Sequence, residues 1–214
     1  MPPTSPPTPP TASDAVFSPS VKAVQTERGS RAAFARRDET GGWPTVLSAD
    51  LAAFLGEVRS FYLATASADG QPYVQHRGGP PGFLRVLDER TLAFADFKGN
   101  RQFITTGNLR DNPRAFIFIM DYARRLRVKL WGRARVVTDD AALAARLWPD
   151  GYKARPEQVI AFELATWDTN CNQHIPQLFP AEDVAHTITT FQARIRELEA
   201  EVAALKAAAA ATGA

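Results

Sequence analysis

Residues 125–136 constrain the fold most strongly, because apolar and cationic side chains alternate there with a period of two. That is the period of a β-strand, whose successive side chains point to opposite faces of a sheet. The stretch therefore predicts one long strand with a buried face and a cationic face. The cationic face is either solvated or a surface for an anionic ligand or partner. The predicted buried side holds Leu126, Val128, Leu130, Ala134 and Val136, and the other side holds Arg125, Arg127, Lys129, Arg133 and Arg135, with Trp131 among them.

Shorter strand patterns flank this one at hairpin spacing. The turn residues of 68–71 separate the first two patterns, which is a hairpin signal. Helical patterns begin at Ser48 and cover 99–109 and 139–148. The sum predicts a mainly β fold, an antiparallel barrel with added helices. The remaining strand patterns lie at 61–66, 72–77, 83–87, 91–94, 115–120 and 159–164.

The first twenty residues form a separate compositional zone, which contains seven of the chain's 16 prolines. Proline fixes φ and removes a hydrogen-bond donor, so we predict a disordered leader over 1–20. A solvated tail is favoured over a proline-rich ligand for a partner. After the leader we expect an N-terminal extension over 21–47, the barrel over 48–180 and an amphipathic helix over 182–211.

Composition excludes several classes of protein. With 25 Lys and Arg against 23 Asp and Glu, the net charge of +2 argues against nucleic acid as a main partner. No apolar run approaches the roughly 20 residues that span a bilayer, so no membrane association is expected. A single cysteine, Cys171, excludes an internal disulfide framework and fits a reducing compartment, so we expect a cytoplasmic protein.

Three polar stretches could carry chemistry. In the first, "DGQPYVQHRGG" at 69–79, glycines after a strand would let a flat ligand approach the backbone. In the second, "FADFKGNRQ" at 94–102, a strand leads through a turn to a helix start, where free N–H groups with Lys98 and Arg101 favour phosphate. The third, "WDTNCNQHI" at 167–175, concentrates hydrogen-bonding groups after the last strand.

None of these stretches identifies a catalytic residue. A lone His76 or His174 is more often structural than catalytic. Cys171 and His174 lie three residues apart, but a Cys–His nucleophile pair is a spatial arrangement that sequence proximity does not establish. We therefore expect Cys171 to pack as a small apolar group. We expect no metal site, and the common nucleotide and zinc-protease motifs are absent from the sequence.

In this order, the three stretches resemble the pyridoxamine-phosphate-oxidase-like split barrels that bind FMN, over roughly residues 48–176. "FADFKGNRQF" is similar to the family's phosphate segment, in which Arg101 matches the phosphate-binding arginine. "DGQPYVQHR" resembles the second strand, and "DNPRAFIFIM" and "RVKLWGRARVV" resemble two later strands, with Gly132 at the family's glycine. "WDTNCNQHI" is typical of one branch of the superfamily.

The chain also departs from the family pattern. Asn100 replaces the family's serine and Gln102 its lysine, and Arg127 stands where true oxidases have a flavin-contacting glutamine. Gln173 and Ile175 stand where the resemblance expects the arginine and histidine that bind the oxidase substrate, and Pro80 lies near the place of a missing lysine.

The resemblance implies a six-stranded Greek-key split barrel that forms a homodimer, with two FMN molecules between the subunits. The phosphate would contact Arg101 and the backbone amides of Asn100 and Gln102, while residues of the partner chain would cover the ring. Arg77 or Arg127 would be the cation near the flavin N1–C2 carbonyl. The implied FMN-binding residues are Gln75, His76, Arg77, Ala95, Asp96, Lys98, Asn100, Arg101, Gln102, Arg127, Trp167, Asn170, Gln173 and His174.

Several functions fit this resemblance. The favoured hypothesis is an FMN-dependent oxidoreductase that acts on a small substrate whose identity the sequence does not give. The second is an FMN-binding carrier, sensor or vestigial paralogue without turnover, and the third is a haem-utilisation or deazaflavin-dependent relative. A barrel that serves only as a platform for the C-terminal helix is a further alternative, since fold does not fix function.

The C-terminal residues carry an apolar pattern that the resemblance does not cover. Apolar side chains recur at alternating spacings of four and three for about three heptads, which predicts either a parallel two-stranded coiled coil or a helix packed on its own barrel. The oppositely charged flanking positions favour the coiled coil. The seven apolar positions are Val184, Ile188, Phe191, Ile195, Leu198, Val202 and Leu205.

Overall fold

A computed structural model describes residues 11–149, 151–170 and 172–212 of the chain. Within the described residues two compact units can be distinguished. The first contains the residues up to 120 together with those from 127 to 170, and the second contains 121–126 and 172–212. The sequence placed the boundary between barrel and helix near 180, but residues 172–180 group with the C-terminal helix.

The first unit is built on one antiparallel sheet with the strand order β2-β1-β5-β6-β7-β4-β3. The predicted mainly β fold with added helices is confirmed, with seven strands in the described residues where the resemblance implied six. The strands are β1 (Ser60–Ala66), β2 (Pro72–Gly78), β3 (Leu84–Val86), β4 (Thr91–Phe97), β5 (Arg114–Asp121), β6 (Leu126–Val137) and β7 (Pro156–Asn170).

Strand β6 has the predicted alternation. Val128, Leu130 and Ala134 are buried, while Arg133 and Arg135 on the opposite face are exposed. The prediction was wrong for one cation. Arg125 precedes the strand with a φ of 52°, and its guanidinium donates to the carbonyl oxygens of Asn172 and Ile175 within the second unit. The cationic face of the strand therefore holds four of the five predicted residues.

Gly132 lies where β6 shifts its register against β7, between Trp131 and Gly132. A Cβ atom at Gly132 would come within 2.1 Å of the Glu163 carbonyl oxygen and 2.7 Å of the Phe162 ring. Only glycine lets the two backbones approach this closely. The glycine recognised in the sequence therefore has a packing role.

The sheet is curled into a half-barrel. Strands β1 and β4 are separated in the sheet order by β5, β6 and β7, yet the rings of Phe61 on β1 and Phe94 on β4 lie 5.1 Å apart in an edge-to-face contact. Both rings are fully buried. The interior of the curl is therefore the hydrophobic core, and the curl brings the β2 edge of the sheet towards β4.

Six helices accompany the sheet in the described residues. Helix α3 begins where the sequence predicts, because the Ser48 hydroxyl accepts a hydrogen bond from the Leu51 N–H and caps the first turn. The predicted helix over 99–109 is shorter at its start, since the turn extends to residue 103. The helices are α1 (Pro19–Glu27), α2 (Arg31–Glu39), α3 (Ala49–Glu57), α4 (Ile104–Asp111), α5 (Ala141–Leu147) and α6 (Ala181–Thr212).

Residues 11–20 of the predicted leader are folded. The sequence predicted disorder up to residue 20, but Ala12–Ala15 form a 3₁₀ turn and helix α1 starts at Pro19. Ser13 is fully buried and donates to the Asp38 carboxylate at 2.9 Å. This part of the predicted leader is therefore held by a tertiary contact, although its apolar content is low. The rest of the predicted leader, residues 1–10, lies outside the described residues.

Trp43 holds this N-terminal extension against the sheet. Its ring makes edge-to-face contacts with Phe17 and with Trp131 of β6, and the Arg37 guanidinium lies 4.0 Å above it. Arg37 also reaches the Asp168 carboxylate on β7 at 3.2 Å. The extension therefore packs on the outer face of the sheet.

The second unit consists mainly of helix α6, which is 32 residues long. The amphipathic helix predicted over 182–211 is present, starting at Ala181 and ending at Thr212. In the described part of the chain no helix is both long and apolar enough to cross a membrane.

Candidate functional site

A cleft of about 40 Å³ opens where the curl brings edge strand β2 towards the end of β4. The first residues of β7 and the turn between β4 and α4 complete its walls. Six of the predicted site residues line it: Gln75, Arg77, Asp96, Asn100, Arg101 and Gln102.

The inner wall of the cleft is a buried polar network. The Arg77 guanidinium on β2 forms a short ion pair with the Asp96 carboxylate on β4, and both side chains are about nine-tenths buried. The second Asp96 oxygen accepts from the Gln158 amide at 2.8 Å, and that amide also donates to Thr106 Oγ1 at 2.7 Å. Burial lowers the pKa of the Arg77 guanidinium, and the Asp96 carboxylate opposes this effect.

One donor of this network is left over. Among the described residues Arg77 Nε is buried with no hydrogen-bond partner. A buried donor without a partner costs about 1–3 kcal/mol. Arg77, which lines the cleft, therefore has one donor that its pairing with Asp96 does not use.

The outer wall is the turn from Gly99 to Phe103, which has an unusual backbone. Arg101 and Phe103 have φ values of 60° and 53°, in the left-handed region that costs non-glycine residues about 1–2 kcal/mol each. The Gln102 N–H donates to Asn100 Oδ1 at 3.1 Å, which closes the turn between them. Two strained residues in one short turn indicate that its conformation serves a purpose other than stability.

Helix α4 begins directly after this turn. Phe103 occupies the position that precedes the helix, and its phenyl ring cannot accept the N–H bonds of the first turn as a serine or aspartate would. The partial positive charge of the helix N-terminus therefore faces the cleft, where Ile104, Thr105 and Thr106 line the wall. Such a terminus favours an anion.

Arg101 is the exposed cation of this wall. Its side chain is 60% exposed, its guanidinium lies 5.5 Å from the Phe103 ring, and its Nε is 3.5 Å from a carboxylate oxygen of Glu157 at the start of β7. A pair this long and this exposed contributes little energy. Glu157 could not be predicted from the sequence pattern, because its approach to Arg101 depends on the β4–β7 pairing.

The cleft thus combines an exposed arginine, an uncapped helix N-terminus and a buried arginine with a spare donor. Gln75, held by a hydrogen bond from Thr105 Oγ1 at 2.8 Å, adds a carboxamide. These groups suit an anionic ligand such as a phosphate ester. Throughout the described ranges, no group of three or more His, Cys, Asp or Glu residues could hold a metal ion.

Three of the predicted residues near this cleft do not line it. His76 lies on the opposite face of β2, exposed and 5.7 Å from the Tyr62 ring. The Ala95 side chain packs in the core cluster beside Leu147 and Val159, so only its backbone remains for a ligand. Lys98 is exposed, and its backbone N–H donates to the Arg155 carbonyl.

Another group of predicted residues lies at the far end of β7. Arg127 and Asn170 are opposite each other in the β6–β7 pairing. Trp167 Nε1 donates to the Val46 carbonyl at 2.8 Å. Asn170 Oδ1 is buried and, within the part that the structure describes, has no hydrogen-bond partner.

The length of β7 separates the two groups. Asn170 follows the cleft residue Glu157 by thirteen positions, which corresponds to about 43 Å along an extended strand. The two groups of predicted residues therefore lie at opposite ends of one strand.

The last predicted residues, Gln173 and His174, belong to the second unit. His174 has a φ of 61°, and the neighbouring Ile175 is only 4% exposed. Cys171, which we expected to pack as a small apolar group, lies outside the described residues.

The model of the family described as Pyridoxamine 5'-phosphate oxidase matches residues 47–171, more than half of the 214-residue chain. The chain belongs to this family. The match confirms the resemblance inferred from the sequence, and its boundaries are close to the expected 48–176. The matched region ends at Cys171, so helix α6 lies beyond it.

Solved structures with some likeness to the chain include HupZ of Group A Streptococcus, at 22% identity and a TM-score of 0.48, with 62% of this chain and 99% of that chain covered. A protein from Clostridium acetobutylicum related to general stress protein 26, of the pyridoxinephosphate oxidase family, is 14% identical, with coverages of 59% and 89% and a TM-score of 0.41. The FAD binding protein from Mycobacterium smegmatis is 18% identical, with coverages of 59% and 97% and a TM-score of 0.38. No curated protein matches the chain. The family assignment rests on the family model alone.

Proposed function

We propose that the protein binds FMN and is an FMN-dependent oxidoreductase for a small substrate. The chain belongs to a family whose members bind flavins, which supports a flavin as the cofactor. The cleft supports binding of the phosphate at one end of FMN. The observation that carries the proposal is the exposed Arg101 beside the uncapped N-terminus of helix α4. FMN ends in a phosphate dianion, which a guanidinium and backbone N–H groups bind well.

The residues present fit this group. The strained turn presents Arg101 and the Asn100 amide, while Arg77 and the Gln75 carboxamide line the same cleft. The Gln102 N–H, which the resemblance assigned to the phosphate, already donates to Asn100 Oδ1. The Asp96 carboxylate would repel a phosphate, but Arg77 and Gln158 offset its charge. A terminal phosphate suits this small cleft better than the bridging diphosphate and adenosine of FAD.

We further propose a homodimer with FMN between the subunits. A cleft of about 40 Å³ offers one partial wall for a flavin, so a second chain would have to cover the ring. The predicted residues near the far end of β7 are too distant along the strand to reach the same flavin, and would serve that of the partner. These residues are Arg127, Trp167 and Asn170.

In this proposal the bound flavin supplies the redox chemistry, and the chain supplies binding and electrostatics. Arg101 and the start of α4 hold the phosphate. Arg77 or the partner's Arg127 would be the cation near the N1–C2 carbonyl, where it would favour the negatively charged reduced ring. The Arg77–Asp96 pair keeps the guanidinium in place, so that little reorganisation is needed during turnover. No side chain is assigned as a general base.

A second candidate function is flavin binding without turnover. It is favoured by Ile175, a buried apolar side chain at the position where the resemblance expects the substrate-binding histidine. Gln173 likewise replaces an arginine. Without these groups a substrate phosphate would be poorly paired, so we expect no useful oxidation of pyridoxamine or pyridoxine phosphate.

Two assays separate these candidates. Turnover of reduced nicotinamide by the purified flavin-loaded protein would support the oxidoreductase, and its absence would favour the carrier or sensor. The second assay measures pyridoxal phosphate formation under air. A rate of about one turnover per second or faster, which is typical of enzymes, would contradict the expectation that pyridoxamine and pyridoxine phosphate are not oxidised.

Flavin fluorescence titration tests the binding proposal. Arg101→Ala should weaken FMN binding about 10- to 100-fold, because a charge-assisted contact is worth about 1.5–3 kcal/mol. Lys98→Ala is the matched control, since it removes a neighbouring exposed cation that does not line the cleft and should leave affinity nearly unchanged. Equal losses in both variants would reject the Arg101 assignment. The absence of any flavin affinity in the wild type would reject the proposed function.

A further inference from the structure

Helix α6 carries an exposed apolar stripe along most of its length. Its seven apolar residues at the heptad spacing are all exposed, by between 42% and 64%. The 32-residue helix is about 48 Å long. A stripe of this length is unusual on a helix that functions alone, because water-exposed apolar surface is unfavourable. We call these seven residues, Val184, Ile188, Phe191, Ile195, Leu198, Val202 and Leu205, the α6 seam.

The side-chain types in the α6 seam favour two parallel strands. With Ile188, Ile195 and Val202 as the heptad a positions, every a residue is β-branched. The d positions then hold Val184, Phe191, Leu198 and Leu205, and two of these are leucine. Parallel dimers favour β-branched residues at a with leucine at d.

The charged residues beside the seam point to a second copy of the same chain. In a parallel pair, Arg194 at position g meets the partner's Glu199 at e, and Glu201 at g meets the partner's Lys206 at e. Both contacts join opposite charges. Within its own helix Arg194 contacts Glu197 at 3.0 Å, but both side chains are more than 60% exposed, so this pair holds Arg194 only weakly.

We propose that the α6 seams of two copies pair as a parallel two-stranded coiled coil. About three heptads are marginal in isolation, so the coil relies on the barrel homodimer of the proposed function to raise the effective concentration of the two helices. It does not rely on FMN. A failure of FMN binding would therefore leave this proposal standing, and a failure of pairing would leave the flavin site standing.

Cysteine crosslinking of the full chain tests the pairing. In a Cys171→Ser background, Leu205→Cys places a thiol at a d position, where matched residues of parallel helices face each other at disulfide distance. Ala200→Cys is the control, because position f points away from the seam. We expect an intersubunit disulfide for Leu205→Cys with a yield several-fold above that of Ala200→Cys. Equal yields, no disulfide in an intact dimer, or a monomeric full chain by light scattering would each overturn the coil.

A charge exchange then tests the direction of the helices. Arg194→Glu should lower the melting temperature of the full chain, because it places like charges opposite each other. In the parallel arrangement Glu199→Arg in the same chain restores the melting temperature. An antiparallel pair instead brings Arg194 near the partner's Glu201, so rescue by Glu201→Arg and not by Glu199→Arg would overturn the parallel proposal. This readout does not depend on a cysteine in the seam.

Discussion

The two walls of the cleft each contain an arginine, and the two arginines are held in opposite ways. Arg77 on the inner wall is about nine-tenths buried and paired with Asp96, whereas Arg101 on the outer wall is 60% exposed and 3.5 Å from its nearest acidic group, Glu157. Arg77 lies on a regular strand, and Arg101 lies on a strained turn. The same type of side chain therefore has different energetic roles on the two walls of one cleft.

The difference shows how charge is divided between stability and binding. A buried ion pair contributes little net stability, but losing one partner leaves an uncompensated buried charge. An exposed charge contributes little to folding and keeps most of its electrostatic attraction for a ligand. We therefore expect substitutions on the inner wall to change the free energy of unfolding, and substitutions on the outer wall to change flavin affinity.

The largest expected effect is on the inner wall. Asp96→Ala leaves the Arg77 guanidinium buried without its carboxylate, and should lower the free energy of unfolding by about 3–5 kcal/mol in urea denaturation. Glu157→Ala is the matched control, since it removes the acidic partner of the exposed arginine and should cost less than about 1 kcal/mol.

The pair can also be removed as a whole. The double variant Arg77→Met with Asp96→Val should recover most of the stability lost in Asp96→Ala, because apolar residues that roughly fill the same volume can replace a buried ion pair at little cost. A double variant no more stable than Asp96→Ala would show that the inner wall is held by something other than this pair.

A smaller effect is expected when the strained turn is relaxed. Arg101→Gly removes the Cβ atom that disfavours a φ of 60°, and should raise the free energy of unfolding by about 1 kcal/mol while FMN affinity falls as in Arg101→Ala. Lys98→Gly, at a residue without positive φ, should not stabilise the protein. A lower free energy of unfolding for Arg101→Gly would show that the φ of Arg101 does not strain the outer wall.

The smallest effect concerns the acidic neighbour of Arg101. Glu157→Gln removes a negative charge 3.5 Å from Arg101 Nε, and should strengthen FMN binding by less than about 5-fold, in keeping with an exposed pair worth under 1 kcal/mol. Isothermal titration of both proteins at low and high salt checks this prediction. Weaker binding in Glu157→Gln would mean that the carboxylate positions Arg101 rather than competing with the phosphate.

The sequence predicts those parts of the molecule that depend on local pattern. The alternation of β6 follows from the two-residue period of a strand, and the Ser48 cap marks the start of α3. The turn that carries Arg101 is recognisable because it joins a strand to a helix within a few residues. These features need no knowledge of distant contacts.

Contacts made by the curl of the sheet could not be predicted in this way. Arg77 and Asp96 pair although their strands are not neighbours in the sheet, and Glu157 reaches the cleft through the β4–β7 register. Trp43 was missed for the same reason, since its packing on Trp131 joins residues far apart in the chain. For Arg125 the strand period was extended one residue too far, into a turn.

The central claim is that the outer wall binds the phosphate of FMN through Arg101. Titration of the wild type and Arg101→Ala with FMN and with riboflavin, which lacks the phosphate, tests it most directly. We expect the wild type to bind FMN about 10- to 100-fold more tightly than riboflavin, and Arg101→Ala to lose most of this preference while its affinity for riboflavin is unchanged. A wild type that binds both flavins equally, or a variant that keeps the full preference for FMN, would contradict the claim.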